Sequence, residues 1–409
     1  MSAAALRGGW AGPAAGMFAV AWGANQFVSM LVAYRAQRGL SAATTDGLFG
    51  IYALALIAAL LLAGPAADVW GRARVVRPAV VVSALATIVL MCGEDSVGLL
   101  LAGRFLAGAA SGAIFAAGTA WVKDLSAAPA GGDEESGARR AAVALSLGFG
   151  VGPLATGVAG QWAPDPLLTA YVPHLLIVAA VTPLLWRVPV RQEAVGSGRG
   201  FVKRLRVPSV GHRRFLRVVL PAAPWVFAGP SVAFAVLPSL VASRTGGFGV
   251  AFAGVAAGLT LGVGVAVQSL TRRLDQPGRV AASVLGLLLT AAGMAAAAVA
   301  AAVEEPWLVL AAAVPLGAGY GTGLVSGLLE AQRIARPDDL AGLTAVYYAL
   351  TYVGFGLPLL LAAVRPLVSY PLMLAAAAVL AVVSAALVTQ GSRVPLASMP
   401  GHAPVCLRP

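Results

Sequence analysis

The sequence predicts an all-α, polytopic membrane protein whose twelve transmembrane helices form two six-helix bundles. Hydrophobic residues make up 59% of the 409 residues and charged residues only 11%, and the mean hydropathy is +0.86, a composition that excludes an ordinary soluble domain. Twelve apolar runs follow one another along the chain, each of about 20 residues and so long enough to cross a bilayer. A short charged motif occurs at position 68 and again at 275, and this spacing of 207 residues (275 minus 68) indicates two similar halves that face the same way.

The apolar runs divide the chain into its predicted parts. The first run is longer than the apolar core of a signal peptide and continues into Tyr34-Arg35, so we expect a transmembrane helix there. The runs lie near residues 13–35, 46–66, 76–93, 96–122, 140–162, 168–188, 216–242, 248–270, 280–303, 307–330, 341–364 and 368–389. We expect an N-terminal bundle over residues 1–188, a basic cytoplasmic linker over 189–215, a C-terminal bundle over 216–390 and a cytoplasmic tail over 391–409.

The basic residues predict the orientation. With twelve spans both termini share one side, and placing the N-terminus in the cytoplasm puts 23 of the 28 Lys and Arg residues in cytoplasmic loops or tails. The exceptions are Arg35, Arg38, Arg244 and Arg365 on the outside and Arg104 within a helix. The alanine-rich composition is typical of a high-GC genome, so we expect a multi-pass protein of a bacterial inner membrane with both termini cytoplasmic.

The net charge of +12 does not indicate a nucleic-acid partner, because the basic residues lie in short loops rather than on one soluble surface. The connection between the two bundles carries nine of the 28 basic residues, from Arg187 to Arg217, against the single acid Glu193. Two interpretations stay open: a surface helix held on anionic lipid, or a solvated linker that only enforces topology.

The repeated motif reads Gly64-Pro-Ala-Ala-Asp68-Val-Trp-Gly71-Arg72 in the first half and Asp275-Gln-Pro-Gly278-Arg279 in the second, and we expect a tight cytoplasmic turn at each. It resembles the loop between helices 2 and 3 of the major facilitator superfamily, Gly-x-Leu-Ala-Asp-Arg-x-Gly-Arg, from which it departs at Ala66 and Val69. The resemblance implies the major facilitator fold.

The same resemblance implies a conformational latch. In the superfamily the aspartate lies against the N-terminal end of helix 11, where the helix dipole favours an anion, and the arginine pairs with an acid at the end of helix 4, here Asp124. These contacts hold the halves together while the cavity opens outward and break when it opens inward. The alternative is a loop that serves topology alone.

Helix 4 contains Arg104 well inside the membrane. A guanidinium there costs about 3 kcal/mol on insertion scales unless it meets a partner or a wet cavity. The stretch from Arg104 to Gly112 resembles the helix 4 motif of the superfamily, which is tied to proton transfer, and a proton relay would have to use Arg104 with Asp46 or a bound substrate group. The alternative is that Arg104 binds helix carbonyls and fixes the packing of helices 1 and 4.

Helix 5 carries small residues and a proline at Gly148, Gly152, Pro153 and Gly157, which predicts close packing and a bend. The stretch is similar to the Gly-Pro motif of exporters, although Leu-Ala-Thr-Gly follows the Gly-Pro pair. The chain is therefore most similar in motifs to the drug and metabolite proton-antiporter branch of the superfamily.

Polar and aromatic residues at helical spacing indicate the faces that line a path for substrate and protons. The candidates are Asn25, Gln26, Asp46, Arg104, Trp225, Tyr320, Tyr348 and Tyr352. Acidic residues lie only at helix ends or in loops, so the one charge deep in the bilayer is positive. We therefore expect a neutral, amphipathic or anionic substrate rather than a cation. A lone His174 in helix 6 is expected to be satisfied locally.

The predicted function is proton-coupled efflux of a small drug or metabolite by alternating access. An uptake permease for a nutrient or organic anion is the alternative, and a membrane-embedded enzyme or a structural membrane protein is a third possibility. Three scattered histidines, no carboxylate cluster and no nucleotide-binding loop argue against an enzyme, a metal site, a cofactor or ATP as the energy source. The expected partners are the substrate, protons and the lipid bilayer, with the protein as a monomer.

Overall fold

The computed structural model describes residues 9–127, 134–190, 205–336 and 338–393. Twelve helices are long and apolar enough to cross a membrane. They are α1 (Ala11–Arg38), α2 (Ala42–Trp70), α3 (Arg72–Cys92), α4 (Val97–Ala127), α5 (Ser136–Trp162), α6 (Pro166–Trp186), α7 (Phe215–Leu240), α8 (Gly249–Leu274), α9 (Ala281–Val303), α10 (Pro306–Ile334), α11 (Leu340–Val364) and α12 (Tyr370–Gly391). No strand occurs within the described ranges, so the predicted fold class is confirmed.

Most of the predicted linker and tail lies outside the described residues, and the bounds of the four predicted parts stay predictions. The last part of the linker, residues 205–215, is described. Its short 3-10 turn, Pro208–Gly211, is bound to the start of α11. The Asp339 carboxylate accepts hydrogen bonds from the Ser209 backbone N–H at 2.8 Å and from the Ser209 hydroxyl at 3.0 Å.

The two halves repeat the same backbone packing. In the first half Gly108 of α4 lies against the backbone of α2, where a Cβ atom would collide with the Tyr52 carbonyl oxygen. In the second half Gly317 of α10 lies in the same way against the Thr260 carbonyl of α8. These glycines are 209 residues apart (317 minus 108), close to the spacing of the charged motif. Glycine permits the contact because a side chain would hold the two helices apart.

The halves meet at the end of the bundle opposite the chain termini, which we call the opposite end; the end where α1 begins and α12 ends is the terminal end. α5 of the first half crosses α8 of the second, and a Cβ atom on Gly157 would lie 3.0 Å from the Gly254 Cα. α2 and α11 form the second contact, with ring centroids of Phe49 and Phe355 4.6 Å apart. These two crossings close the opposite end.

Two helices that line the interface between the halves are irregular. α4 contains a π-helical segment at Ile114–Gly118, and α7 contains two, at Phe215–Val219 and Val232–Val236. Such segments widen a helix by one residue and redirect the side chains they carry. They turn aromatic side chains, including Phe115 and Phe234, toward the centre of the molecule.

Candidate functional site

A cluster of aromatic side chains from both halves fills the centre of the molecule, and we call it the aromatic cluster. Its members are Phe49, Tyr52 and Phe115 from the first half and Phe227, Phe234, Tyr320, Tyr352 and Phe355 from the second. Phe227 and Tyr352 stack with centroids 4.4 Å apart, and both rings are buried. Rings from the two halves therefore meet at the centre of the molecule, as Phe115 and Tyr352 do with centroids 6.5 Å apart.

The predicted path residues of the second half divide into two groups. Tyr320 and Tyr352 belong to the aromatic cluster, and Tyr348 lies one helical turn before Tyr352. Trp225 lies elsewhere, because its indole N–H donates to the Ser384 hydroxyl on α12 at 2.9 Å. The structure therefore places the tyrosines in or beside the aromatic cluster and anchors Trp225 inside the second half.

The two predicted residues of α1 also face different surroundings. The Asn25 side chain is buried and makes no hydrogen bond to the described part of the chain. The Gln26 side-chain amide donates to the Thr87 hydroxyl at 2.9 Å, which lies 2.8 Å from His174 Nδ1. Gln26 thus joins α1 to α3 and α6, and His174 is satisfied locally, as expected.

Arg104 is fully buried without a carboxylate partner in the described residues. Its Nε donates to the Leu48 carbonyl and its Nη1 to the Ala24 carbonyl, both at 3.3 Å. The guanidinium carbon lies 4.7 Å from the Phe27 ring centroid and 4.3 Å from that of Tyr52. Aromatic faces stabilise a desolvated cation, and the carbonyls take two of its donors. Nη2 has no partner among the described residues. This is the geometry expected of an arginine that fixes helix packing, with the Nη2 amino group unpaired among the described residues.

Asp46 does not pair with Arg104, although the sequence analysis considers a proton relay between these two residues. Its carboxylate accepts from Arg35 Nη2 at 2.9 Å, and Arg35 Nε donates to the Thr45 hydroxyl at 2.7 Å. This pair joins the end of α1 to the start of α2 at the opposite end. Asp46 thus has its own counter-charge, and Arg104 is compensated by dipoles and rings.

The predicted latch residues of the first half come together. Arg72 pairs with Asp68 four residues earlier, and its Nε lies 3.3 Å from Asp124 Oδ2 at the end of α4. Gly71 has φ of 94°, a conformation that favours glycine, and forms the turn between α2 and α3. Gly64 was expected to lie in the same turn, but α2 continues to Trp70, so Gly64 is helical. The turn is confined to Gly71, because α2 stays helical up to the residue at which the chain must reverse direction.

The second copy of the motif uses a different pair. Gly278 again has a positive φ, 82°, but Asp275 pairs with Arg333 at the end of α10 and Arg279 is exposed. The acid and the base have therefore exchanged places between the loop and the long helix. In the first half the loop supplies the base and the long helix the acid, whereas in the second half the loop supplies the acid and the helix the base.

Sequence reasoning missed the most buried ion pair of the described chain. Arg214 Nε pairs with Glu330 Oε1, and both side chains are nearly inaccessible to solvent. Arg214 also donates to the Ser392 carbonyl at 3.0 Å and to the Gly278 carbonyl at 3.3 Å, so it joins α7, α10, α12 and the motif loop. The sequence signal that pointed to an ion-pair site at Glu330 was its spacing of three residues from Arg333, which places both side chains on one face of α10.

The small residues of α5 contact two partners. Gly148 and Gly152 lie against α1, where Cβ atoms would be 2.5 Å from the Phe18 carbonyl and 2.9 Å from the Trp22 carbonyl. The Pro153 carbonyl accepts a hydrogen bond from the Ser29 hydroxyl of α1 at 2.7 Å. It therefore does not serve only the backbone amide four residues later, which is its usual partner in a helix. Gly157, one turn further, lies against α8. The stretch therefore bridges α1 of its own half to the other half.

The comparison with known proteins agrees with this architecture. A peptide transporter POT variant with sulfate has a TM-score of 0.76, 13% identity and coverage of 95% of each chain. A nucleoside transporter NupG variant has a TM-score of 0.71 and 13% identity over 94% of this chain and 99% of its own. A POT family transporter with 5-aminolevulinic acid has a TM-score of 0.75 and 13% identity, over 94% of this chain and 96% of its own.

These likenesses establish the shared fold, and at this level of identity they do not extend to substrate. No protein of curated function matches the chain by sequence. The model of the Major Facilitator Superfamily, however, matches residues 14–358, most of the chain and both of its halves. The protein is thus a multi-pass membrane transporter by family and fold, and the chain belongs to the Major Facilitator Superfamily.

Proposed function

We propose that the protein exports a small neutral, amphipathic or anionic molecule from a bacterial cell, in exchange for protons, by alternating access. The observation that carries the proposal is the contact of α5 with α8. The exporter-like stretch around Pro153 is the part of the first half that closes the opposite end against Gly254. By the positive-inside rule this end is the outer one, so the described conformation is closed to the outside.

The charges support the choice of substrate. Arg104 is the only ionised side chain placed deep among the described first-half helices, and two carbonyls and two rings hold it. The described central cluster contains phenols and phenyl rings and no carboxylate. A cationic substrate would find no carboxylate there, whereas a neutral one needs no counter-charge and an anionic one would have the positive charge of Arg104, which lies against Tyr52 of the cluster.

The ion pairs at the terminal end differ from the latch that the resemblance implies, because they do not join the two halves and they are intact in a conformation that is closed at the opposite end. Arg72 is held by Asp68 and Asp124, and both partners lie within the first half. In an outward-facing state the same loop would move toward α11 of the second half. Exposed pairs of this kind contribute little stability, about 1 kcal/mol or less, so they can be exchanged during a transport cycle.

The experiment measures accumulation of neutral, anionic and cationic compounds in energised cells. Cells with the wild-type protein are compared with cells that carry Gly254→Leu, which blocks the α5–α8 contact, and with Gly262→Leu as the matched control on α8. Gly262 is exposed, and a Cβ there would meet nothing within 4 Å.

Export predicts low accumulation of neutral or anionic compounds in wild-type and Gly262→Leu cells, and higher accumulation with Gly254→Leu or with a proton uncoupler. Raised accumulation in wild-type cells would establish the uptake permease instead. Extrusion confined to cations would refute the argument from charge.

A further inference from the structure

We infer that the central path recognises a flat, polycyclic aromatic molecule that carries carbonyl or hydroxyl groups and no positive charge, held between Phe115 and Tyr352. The inference rests on the proposed transport function and narrows its substrate class. Phe115 belongs to the first half and Tyr352 to the second, so a molecule between their rings touches both moving parts.

The ring geometry supplies the first argument. Tyr352 is nearly parallel to two rings, Phe227 with centroids 4.4 Å apart and Phe115 with centroids 6.5 Å apart, both at an interplanar angle of 18°. The first pair is a direct stack within the second half. The second pair joins the two halves and lies at the long end of the range for rings in contact. Because these two rings are already nearly parallel, separation of the halves by about one ring thickness, ~3.5 Å, would admit one aromatic layer between Phe115 and Tyr352.

The second argument is that both walls of this slot are fixed in orientation. Phe149 of α5 holds Phe115 edge-to-face, at 5.4 Å and 78°. Phe227 holds Tyr352 from behind. Phe115 also lies in the π-helical segment of α4, a feature that often marks functional positions. Walls that are already ordered lose little freedom when a ligand binds.

The height of the slot agrees with a substrate site. Phe227 and Tyr352 lie at the midpoints of α7 and α11, the 13th of 26 and the 13th of 25 residues (Phe215–Leu240 and Leu340–Val364). Transporters with two repeated halves bind substrate near the middle of the membrane, at the interface between the repeats. Phe49, Phe234 and Phe355 lie beyond the slot toward the opposite end, where they close the path.

The polar groups supply the last argument. The hydroxyls of Tyr320, Tyr348 and Tyr352 make no hydrogen bond to any described residue, and they lie close enough to interact electrostatically. Tyr320 and Tyr352 are also buried. Their oxygen atoms are not among the buried polar atoms of the described residues that lack a partner, so they remain open to a hydrogen-bond partner and could bind carbonyl or hydroxyl groups at the rim of a flat molecule. Aliphatic molecules of equal size would satisfy neither the rings nor the hydroxyls.

The experiment measures binding to the purified full-length chain by equilibrium dialysis. Three flat probes, acridone, flavone and anthraquinone, are compared with benzophenone, whose two rings are twisted. The variants are Phe115→Leu and Tyr352→Leu, and Phe105→Leu is the matched control because this phenylalanine of α4 is 48% exposed. Phe115→Tyr and Tyr352→Phe keep the rings.

We expect at least one flat probe to bind the wild-type protein more tightly than benzophenone does. The same probe should bind each leucine variant at least ~5-fold more weakly than it binds wild type, because of the usual strength of aromatic stacking. Phe105→Leu should keep binding within about 3-fold of wild type, and Phe115→Tyr and Tyr352→Phe, which keep the rings, should bind the flat probes more tightly than the leucine variants at the same positions do. The preference for flat probes is measured on the unaltered protein, so it remains informative if a leucine variant does not fold. Equal binding of benzophenone, or no binding of any flat probe, overturns the inference.

Extrusion from energised cells separates this inference from the proposed function. If the flat probes bind through both rings but are not extruded, the export proposal fails and the slot stands. If neutral compounds are extruded equally by wild type and Phe115→Leu, the slot fails and the export proposal stands.

Discussion

Replacing Gly254 by leucine should prevent closure of the opposite end. A Cβ atom at this position would lie 2.8 Å from the Pro153 carbonyl oxygen and 3.1 Å from the Gly157 Cα, both backbone atoms of the other half. Because backbone cannot rotate away as a side chain does, α5 and α8 must separate. Overpacking of this kind costs roughly 1–3 kcal/mol, which shifts a two-state equilibrium by about 5- to 150-fold.

The cost applies to one state only, since the contact exists when the opposite end is closed. From equal populations, the closed state would fall to between about 1% and 17%. Transport needs both states, so turnover should fall by roughly 3- to 50-fold while the protein remains folded. Gly262→Leu adds the same side chain to the same helix at an open position and should leave turnover unchanged.

The assay is crosslinking across the other contact at the same end. A Cβ atom on Gly50 of α2 would lie 3.7 Å from Leu359 Cδ2 of α11. Cysteines at these two positions, with Cys92 and Cys406 replaced by serine, should react with a short bifunctional crosslinker when the end is closed. Gly254→Leu should lower the yield several-fold. An unchanged yield, with transport also unchanged, would refute the assignment of α5 and α8 as the closing contact.

Three further changes test the packing and charge arguments. Glu330→Gln should lower the thermal unfolding temperature in detergent, because it leaves Arg214 buried without its counter-charge at a cost of about 3–5 kcal/mol; an unchanged temperature would contradict the pairing. Gly108→Leu should abolish folded protein, since its side chain collides with the backbone of α2, whereas Gly150→Leu should express normally because nothing lies within 4 Å. Thr87→Val should destabilise the protein by about 1–3 kcal/mol by removing the partner of two buried polar side chains, and equal stability would mean that they find other partners.

The spans were predictable because hydropathy depends on composition alone. Every apolar run corresponds to one helix of the structure, and several helices, such as α1 (Ala11–Arg38) and α2 (Ala42–Trp70), extend a few residues beyond their runs. The motif loop was predictable in part. Gly71 and Arg72 occupy their expected places, and Arg72 meets Asp124, since the loop is short and the end of α4 is its neighbour.

The side-chain partners were harder to predict, because most of these helices are apolar on all faces. Hydrophobic periodicity then does not show how a helix is rotated about its own axis, and contacts between helices determine that rotation. Trp225 illustrates this, since its indole bonds within the second half although its spacing suggested the path. Asp46 is a second case: its partner is Arg35 across a tight connection, whereas sequence reasoning considered Arg104 in another helix.

The most direct test of export by proton exchange is transport into proteoliposomes that have an acidic lumen. Neutral and anionic compounds are supplied outside, and protein-free liposomes correct for passive partitioning. The account predicts accumulation inside that collapses when the pH gradient is dissipated and that fails with Gly254→Leu. Accumulation that instead requires an acidic exterior would show proton symport and would contradict the central claim.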